Sequence, residues 1–126
     1  MTYLADVNVI CEPSKSRPNE RVLRWLEEHE AVTTVDPIVM LPHGRKRDGL
    51  TEWFERLRRN IPCTMWTMET ALGWAEICDR VQRSGFTIAA PDTMIAATAK
   101  LHGFTVATRN VDDFTRCGVT VLNPFE

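Results

Sequence analysis

Short apolar or β-branched runs alternate along this chain with longer segments of helical periodicity, and that alternation leaves few folds open. Residues 2–5 read as a first strand, halted at Asp6. AVTTV (31–35) reads as a second, stopped by Asp36-Pro37, and CTMWTM (63–68) as a short third. FTVATR (104–109) and VTVLN (119–123) close the chain as strands. Between them, Pro18 and Asn19 precede a helix of about 10 residues, with Val22, Leu23, Trp25 and Leu26 on its inner side. Residues 46–59 carry Leu50, Trp53, Phe54 and Leu57 at amphipathic spacing. Residues 69–84 place Ala71, Trp74, Ala75, Cys78 and Val81 on one face, with Gly85 where a helix end favours a left-handed residue. Pro91 fits the first position of a further helix, with Ile95, Ala99 and His102 on one side and Gly103 at its end. Such alternation predicts an α/β fold, a parallel sheet covered on both faces.

In a sheet of that kind, residues just past the C-terminal strand ends emerge on one edge, where ligands bind at the point of strand-order reversal. Asp6 follows the first strand, Asn110 to Asp113 follow the FTVATR strand, and Asp92 opens the helix feeding it. If those two strands are neighbours, Asp6, Asp92 and Asp113 converge. Carboxylates gathered without basic partners raise one another's pKa. A hard dication relieves that conflict: Mg²⁺ keeps several waters and takes one or two protein carboxylates, leaving an acid to hold water or a second metal. Each acid also has a local explanation. Asp92 suits a helix N-terminus on dipole grounds, and Asp6-Val7-Asn8 suits a turn.

With Lys+Arg 15 against Asp+Glu 17, the net charge of −2 gives no global field for a polyanion. Phosphate contacts need only local charge. Arg45, Lys46 and Arg47, with Arg56, Arg58 and Arg59 nearby, supply either such a patch or a solvated helix face. His29, His43 and His102 lack ligand spacing. Cys11, Cys63, Cys78 and Cys117 form no C-x-x-C pair, as expected of reduced thiols. No apolar run is long enough to span a bilayer, and no leader pattern precedes the first strand, so a cytoplasmic protein without membrane partners is expected. At 126 residues the chain reads as one domain, 1–126.

YLADVNVICEPSKSRPNERVLRWL and, above all, PDTMIAATAKLHGFTVATRNVDDF resemble PIN-domain ribonucleases, specifically the VapC- and FitB-like toxins of type II toxin–antitoxin pairs, which include plasmid stability proteins. GVTVLNPFE is similar to the last strand and tail of that family. The resemblance implies a three-layer fold around a parallel sheet of about five strands. It implies Mg²⁺- or Mn²⁺-dependent cleavage of RNA by Asp6, Asp92 and Asp113 as metal-binding acids, with Asn8, Thr108 and Asn110 as supporting residues. It also implies a cognate antitoxin partner and a homodimer.

Two departures from the family pattern stand out. Val7 replaces the usual Thr after the first acid, and the helix carrying the family's further Glu has no counterpart. AVTTVDPIVMLPHGRKR passes from strand to basic segment roughly ten residues short of the usual connection, and Pro37 and Pro42 bar an ordinary helix there. Asp36 is the nearest replacement acid, and Glu12 a partial substitute. The alternative function is therefore a catalytically impaired PIN-like domain acting as an antitoxin-binding or interaction module. A phospho-acceptor signalling domain shares the α/β fold and clustered Asp, but Lys100 sits mid-helix rather than at a strand end.

Overall fold

The computed structural model describes residues 2–29, 31–32 and 66–126. The strands are β1 (Tyr3–Ala5), β2 (Ala31–Val32), β3 (Thr105–Ala107) and β4 (Val121–Leu122). All pair in parallel in the order β2-β1-β3-β4. The helices are α1 (Val7–Ile10), α2 (Glu20–Glu28), α3 (Met68–Arg83), α4 (Ala90–His102) and α5 (Val111–Arg116), with a 3₁₀ turn at Glu12–Ser14. The expected helix over 46–59, Asp36, and the basic residues Arg45, Lys46 and Arg47 lie outside the described residues. Of the expected strand over 63–68, Trp66 and Thr67 belong to no strand and Met68 opens α3.

Alternation along the strands sorts the core into two layers. Leu4 and Val106 pack with Ile77, Val81, Ile95, Ala96 and Phe114 from α3, α4 and α5. Ala5 and Ala107 face the other way, against Val9 and Ile10 of α1 and Val22 and Trp25 of α2. Both faces of the sheet are therefore buried, which gives the expected three-layer α/β arrangement with four strands among the described residues.

The helix ends follow local chemistry. Asn19 Oδ1 caps α2 by accepting from the N–H groups of Arg21 and Val22 at 2.9 and 3.4 Å, a contribution of about 1 kcal/mol. In α4 the first residue is Ala90, so Pro91 sits one position later than expected. Its missing N–H still falls among the four that lack helical acceptors. Gly103 closes α4 at φ +70 and Gly85 follows α3 at φ +81, both in the left-handed region. Of the stripe expected on α3, Val81 is buried, Trp74 packs against the core and Ala71 and Cys78 are half-buried, while Ala75 is exposed; Thr70 and Ile77 complete the buried face. Branched Ile77 and Val81 bury more area than alanine and set the orientation. The Thr70 hydroxyl, 3.0 Å from that of Thr67, is satisfied in its buried place. In α4, Ile95 and Ala99 are buried, while His102 is exposed and stacks on Phe104.

Candidate functional site

The strand order puts the reversal point between β1 and β3, because the chain leaves β1 for β2 on one side and β3 for β4 on the other. The register Ala5↔Ala107 makes the next residues, Asp6 and Thr108, neighbours at the carboxyl edge. The Asp6 N–H donates to the Ala107 carbonyl at 2.9 Å, extending the ladder by one bond. This is the crevice where open parallel sheets bind ligands.

Asp6 is the N-cap of α1, and three donors fix its carboxylate. The Val7 N–H donates to Oδ1 at 2.7 Å, and Thr108 Oγ1 and Asn8 Nδ2 donate to Oδ2 at 2.8 and 3.2 Å. Asn8 Nδ2 also reaches Thr108 Oγ1 at 3.3 Å, and its Oδ1 accepts from the Arg109 N–H at 3.2 Å. Asp6 is 5% exposed. Burial pushes its carboxyl above the ordinary range, against the pull of Thr108, Val7 and Asn8.

Asp92, in the first turn of α4, lies across the crevice. Burial raises its carboxyl, the charges of Asp6 and Asp113 raise it further, and the Asn110 amide opposes them. Asn110 occupies the N-cap position of α5 but makes no side-chain cap. Its Nδ2 donates instead to Asp92 Oδ2 at 3.1 Å and Asp113 Oδ2 at 3.0 Å, joining two acids from separate helices. Its backbone N–H donates to Thr108 Oγ1 at 3.0 Å, which ties this unit to the Asp6 unit.

A cavity of about 410 Å³ opens here, and Asp6, Asn8, Cys11, Lys15, Asp92 and Asn110 are on its wall. Asp113 is not on that wall among the described residues; it is tied to Asp92 through the Asn110 amide, and Arg116 NH1 lies 3.4 Å from its Oδ1. Glu12 is also elsewhere, its oxygens taken by Lys15 Nζ at 2.7 Å and the Asn19 N–H at 2.9 Å. Burial works to raise the Glu12 carboxyl, but Lys15 and the Asn19 N–H outweigh it and hold it below its usual range. Among the described residues no group of three or more His, Cys, Asp or Glu side chains could hold a metal ion between them. Among the described residues the acids on the cavity wall are a carboxylate pair, and neither Asp6 nor Asp92 forms an ion pair there. Two carboxylates completed by water suit a hard dication such as Mg²⁺.

Sequence reasoning missed Lys15 and Cys11 as cavity residues. The signal for Lys15 was its spacing from Glu12 across the Pro13 turn. Among the described residues, no helix is long and apolar enough to cross a membrane.

The PIN domain family model matches residues 3–119. Toxin FitB of Neisseria gonorrhoeae is 36% identical over 138 residues, with 97% of each chain covered. Plasmid stability protein StbB of Pseudomonas syringae pv. tomato is 31% identical with 98% of each covered, and VapC ribonuclease Y4jK of Sinorhizobium fredii 29% with 96% of each. The crystal structure of FitAcB from Neisseria gonorrhoeae superposes with a TM-score of 0.79 at 33% identity, covering 98% of this chain and 99% of that one. The FitB alignment runs over 138 positions while covering 97% of this 126-residue chain, so FitB carries more than a dozen residues that this chain lacks.

Proposed function

The chain belongs to the PIN domain family, and from that membership and the acid cavity we propose that it is a divalent-metal-dependent endoribonuclease, the toxin of a toxin–antitoxin pair. The observation that carries this reading is the pair Asp6 and Asp92, two carboxylates from distant segments facing one cavity with no cation paired to either among the described residues. Nothing in folding alone favours that arrangement, since each charge raises the other's cost of ionisation. Names of relatives, a toxin and a VapC ribonuclease, support the same class. By the same likeness, the partner is a cognate antitoxin.

Asp6 and Asp92 would hold Mg²⁺ or Mn²⁺, with Asp113 completing the acidic set through Asn110. When bound, the ion supplies a water of lowered pKa and neutralises charge on the phosphate oxygens. The chain's own residues prepare that chemistry. The Val7 N–H, Asn8 and Thr108 fix both oxygens of Asp6, so no side-chain reorganisation is needed when substrate arrives. Asn110 orients Asp92 and Asp113 with one neutral amide, which leaves their negative charge in place. Asp113, being bonded to Arg116 as well, is suited to orienting a neighbour rather than to accepting a proton.

The test is cleavage of structured and unstructured RNA by purified, antitoxin-free protein with Mg²⁺, Mn²⁺ or EDTA, with Asp6→Asn prepared in parallel. Metal-dependent cutting that disappears in Asp6→Asn is the expected result. A folded wild-type protein that binds an antitoxin but cuts no RNA with either metal would sink this reading. It would favour the impaired domain instead, a reading to which the missing family Glu and the residues absent relative to FitB lend support.

A further inference from the structure

Lys15 is the one cationic side chain on the wall of the acid cavity among the described residues, yet it pairs with neither acid there. Its Nζ instead meets Glu12 Oε2 at 2.7 Å. Glu12 is buried, and the Asn19 N–H, at the cap of α2, anchors its other oxygen. Lys15 shares that wall with two carboxylates that form no ion pair among the described residues. Here a buried acid three residues earlier holds it at the rim, with its side chain half exposed. Lys15 meets Glu12 as an ion pair, and an ammonium carries three donors, so it can still reach an incoming acceptor.

An RNA strand brings a phosphodiester towards acids that repel it. A fixed positive charge on the same wall offsets that repulsion, and phosphate contacts of this kind set the register of the strand. We infer that Lys15 grips a phosphate of the RNA strand lying in the acid cavity, and that Glu12 is the positioning residue holding Lys15 clear of Asp6 and Asp92. This inference rests on the ribonuclease reading and adds to it a substrate contact.

The test uses an Asp6→Asn parent, unable to cut, titrated with a fluorescein-labelled single-stranded RNA in Mg²⁺ buffer. Anisotropy is read over a series of KCl concentrations. Adding Lys15→Gln should weaken binding about 5-fold at low salt and flatten the dependence of log K on log salt by about 0.7, one phosphate contact on a single strand. Lys15→Arg should restore both. Glu12→Gln keeps an acceptor for the Asn19 N–H, and in that background Lys15→Gln should have a smaller effect, because the two act as a unit. In the cutting enzyme, Lys15→Gln should raise KM with kcat little changed. If the parent binds RNA and Lys15→Gln alters neither affinity nor salt slope, the Lys15 contact is refuted and the ribonuclease reading stands. If the parent binds no RNA and the wild type cuts none, both fall together.

Discussion

Replacing Thr108 with Val tests the frame that holds Asp6. Thr108 is 0% exposed, and its Oγ1 joins three bonds. It donates to Asp6 Oδ2 at 2.8 Å and accepts from the Asn110 N–H at 3.0 Å and Asn8 Nδ2 at 3.3 Å. Valine fills nearly the same space without the oxygen, so the loss is polar rather than a cavity. A bond to a charged group is worth about 1.5–3 kcal/mol net and a neutral one about 1. Allowing for partial water replacement at the cavity, the variant should lose about 3 kcal/mol at neutral pH. For a chain of this length that lowers Tm by roughly 12 °C.

The pH dependence separates this account from a packing defect. The Thr108 bond lowers the Asp6 carboxyl relative to what burial alone would give. Its contribution is therefore complete where Asp6 is ionised and declines as pH falls through the folded-state pKa. Urea unfolding of both proteins at pH 7 and about pH 4, without metal, should show the difference shrinking towards about 2 kcal/mol, the share of the two neutral bonds. A loss below about 1 kcal/mol at pH 7, or one that does not change with pH, would refute the reasoning.

Asp92→Asn should remove Mn²⁺ binding and RNA cleavage yet raise the Tm of the metal-free protein at neutral pH. The folded-state pKa of Asp92 lies above its unfolded value, so its stabilising share is present at acid pH and lost as pH rises through the folded value. Asparagine removes that loss, and the two proteins should converge in acid; equal Tm values in EDTA at neutral pH would count against it. Cys117, fully buried with its thiol pushed up to about 11 by burial and by Asp113 and Asp92, should resist thiol reagents in the folded state. A Cys11→Ser, Cys63→Ser, Cys78→Ser protein should consume reagent only on unfolding, and prompt reaction when folded would show that the thiol is accessible.

Residues whose behaviour is set by their own neighbours in the chain were legible from sequence. Gly103 and Gly85 end helices because L residues avoid the left-handed region, and Asn19 caps because its side chain outcompetes water for nearby N–H groups. Asp6 could be placed at a sheet edge because β1 stops there. On α3, Val81 and Trp74 were read on the buried side, but Ala75 was misplaced because alanine counts as apolar in a periodic pattern yet buries little area, and Thr70 was left out because it counts as polar yet is satisfied by Thr67. That Asp113 would gather with Asp92 was readable from its place after the FTVATR strand, but not that Asn110 would link the two. That depends on Asn110 reaching two helices at once, a tertiary relation with no spacing signature.

Lys15 shows the same limit from the other side, and it bears on how the site is built. Each ion pair among the described residues engages an acid off the cavity wall: Glu12 with Lys15, Asp113 with Arg116, and Asp79 with Arg83 on the surface of α3. The acids on the wall, Asp6 and Asp92, are held by an amide N–H, a hydroxyl and two asparagines instead. A lysine or arginine in those supporting positions would favour the ionised form of both carboxyls against the burial that raises them. It would also occupy the oxygens that a dication needs. Neutral donors orient the acids without cancelling them, so their charges stay uncompensated by these partners, and metal binding to the folded state is expected to add stability.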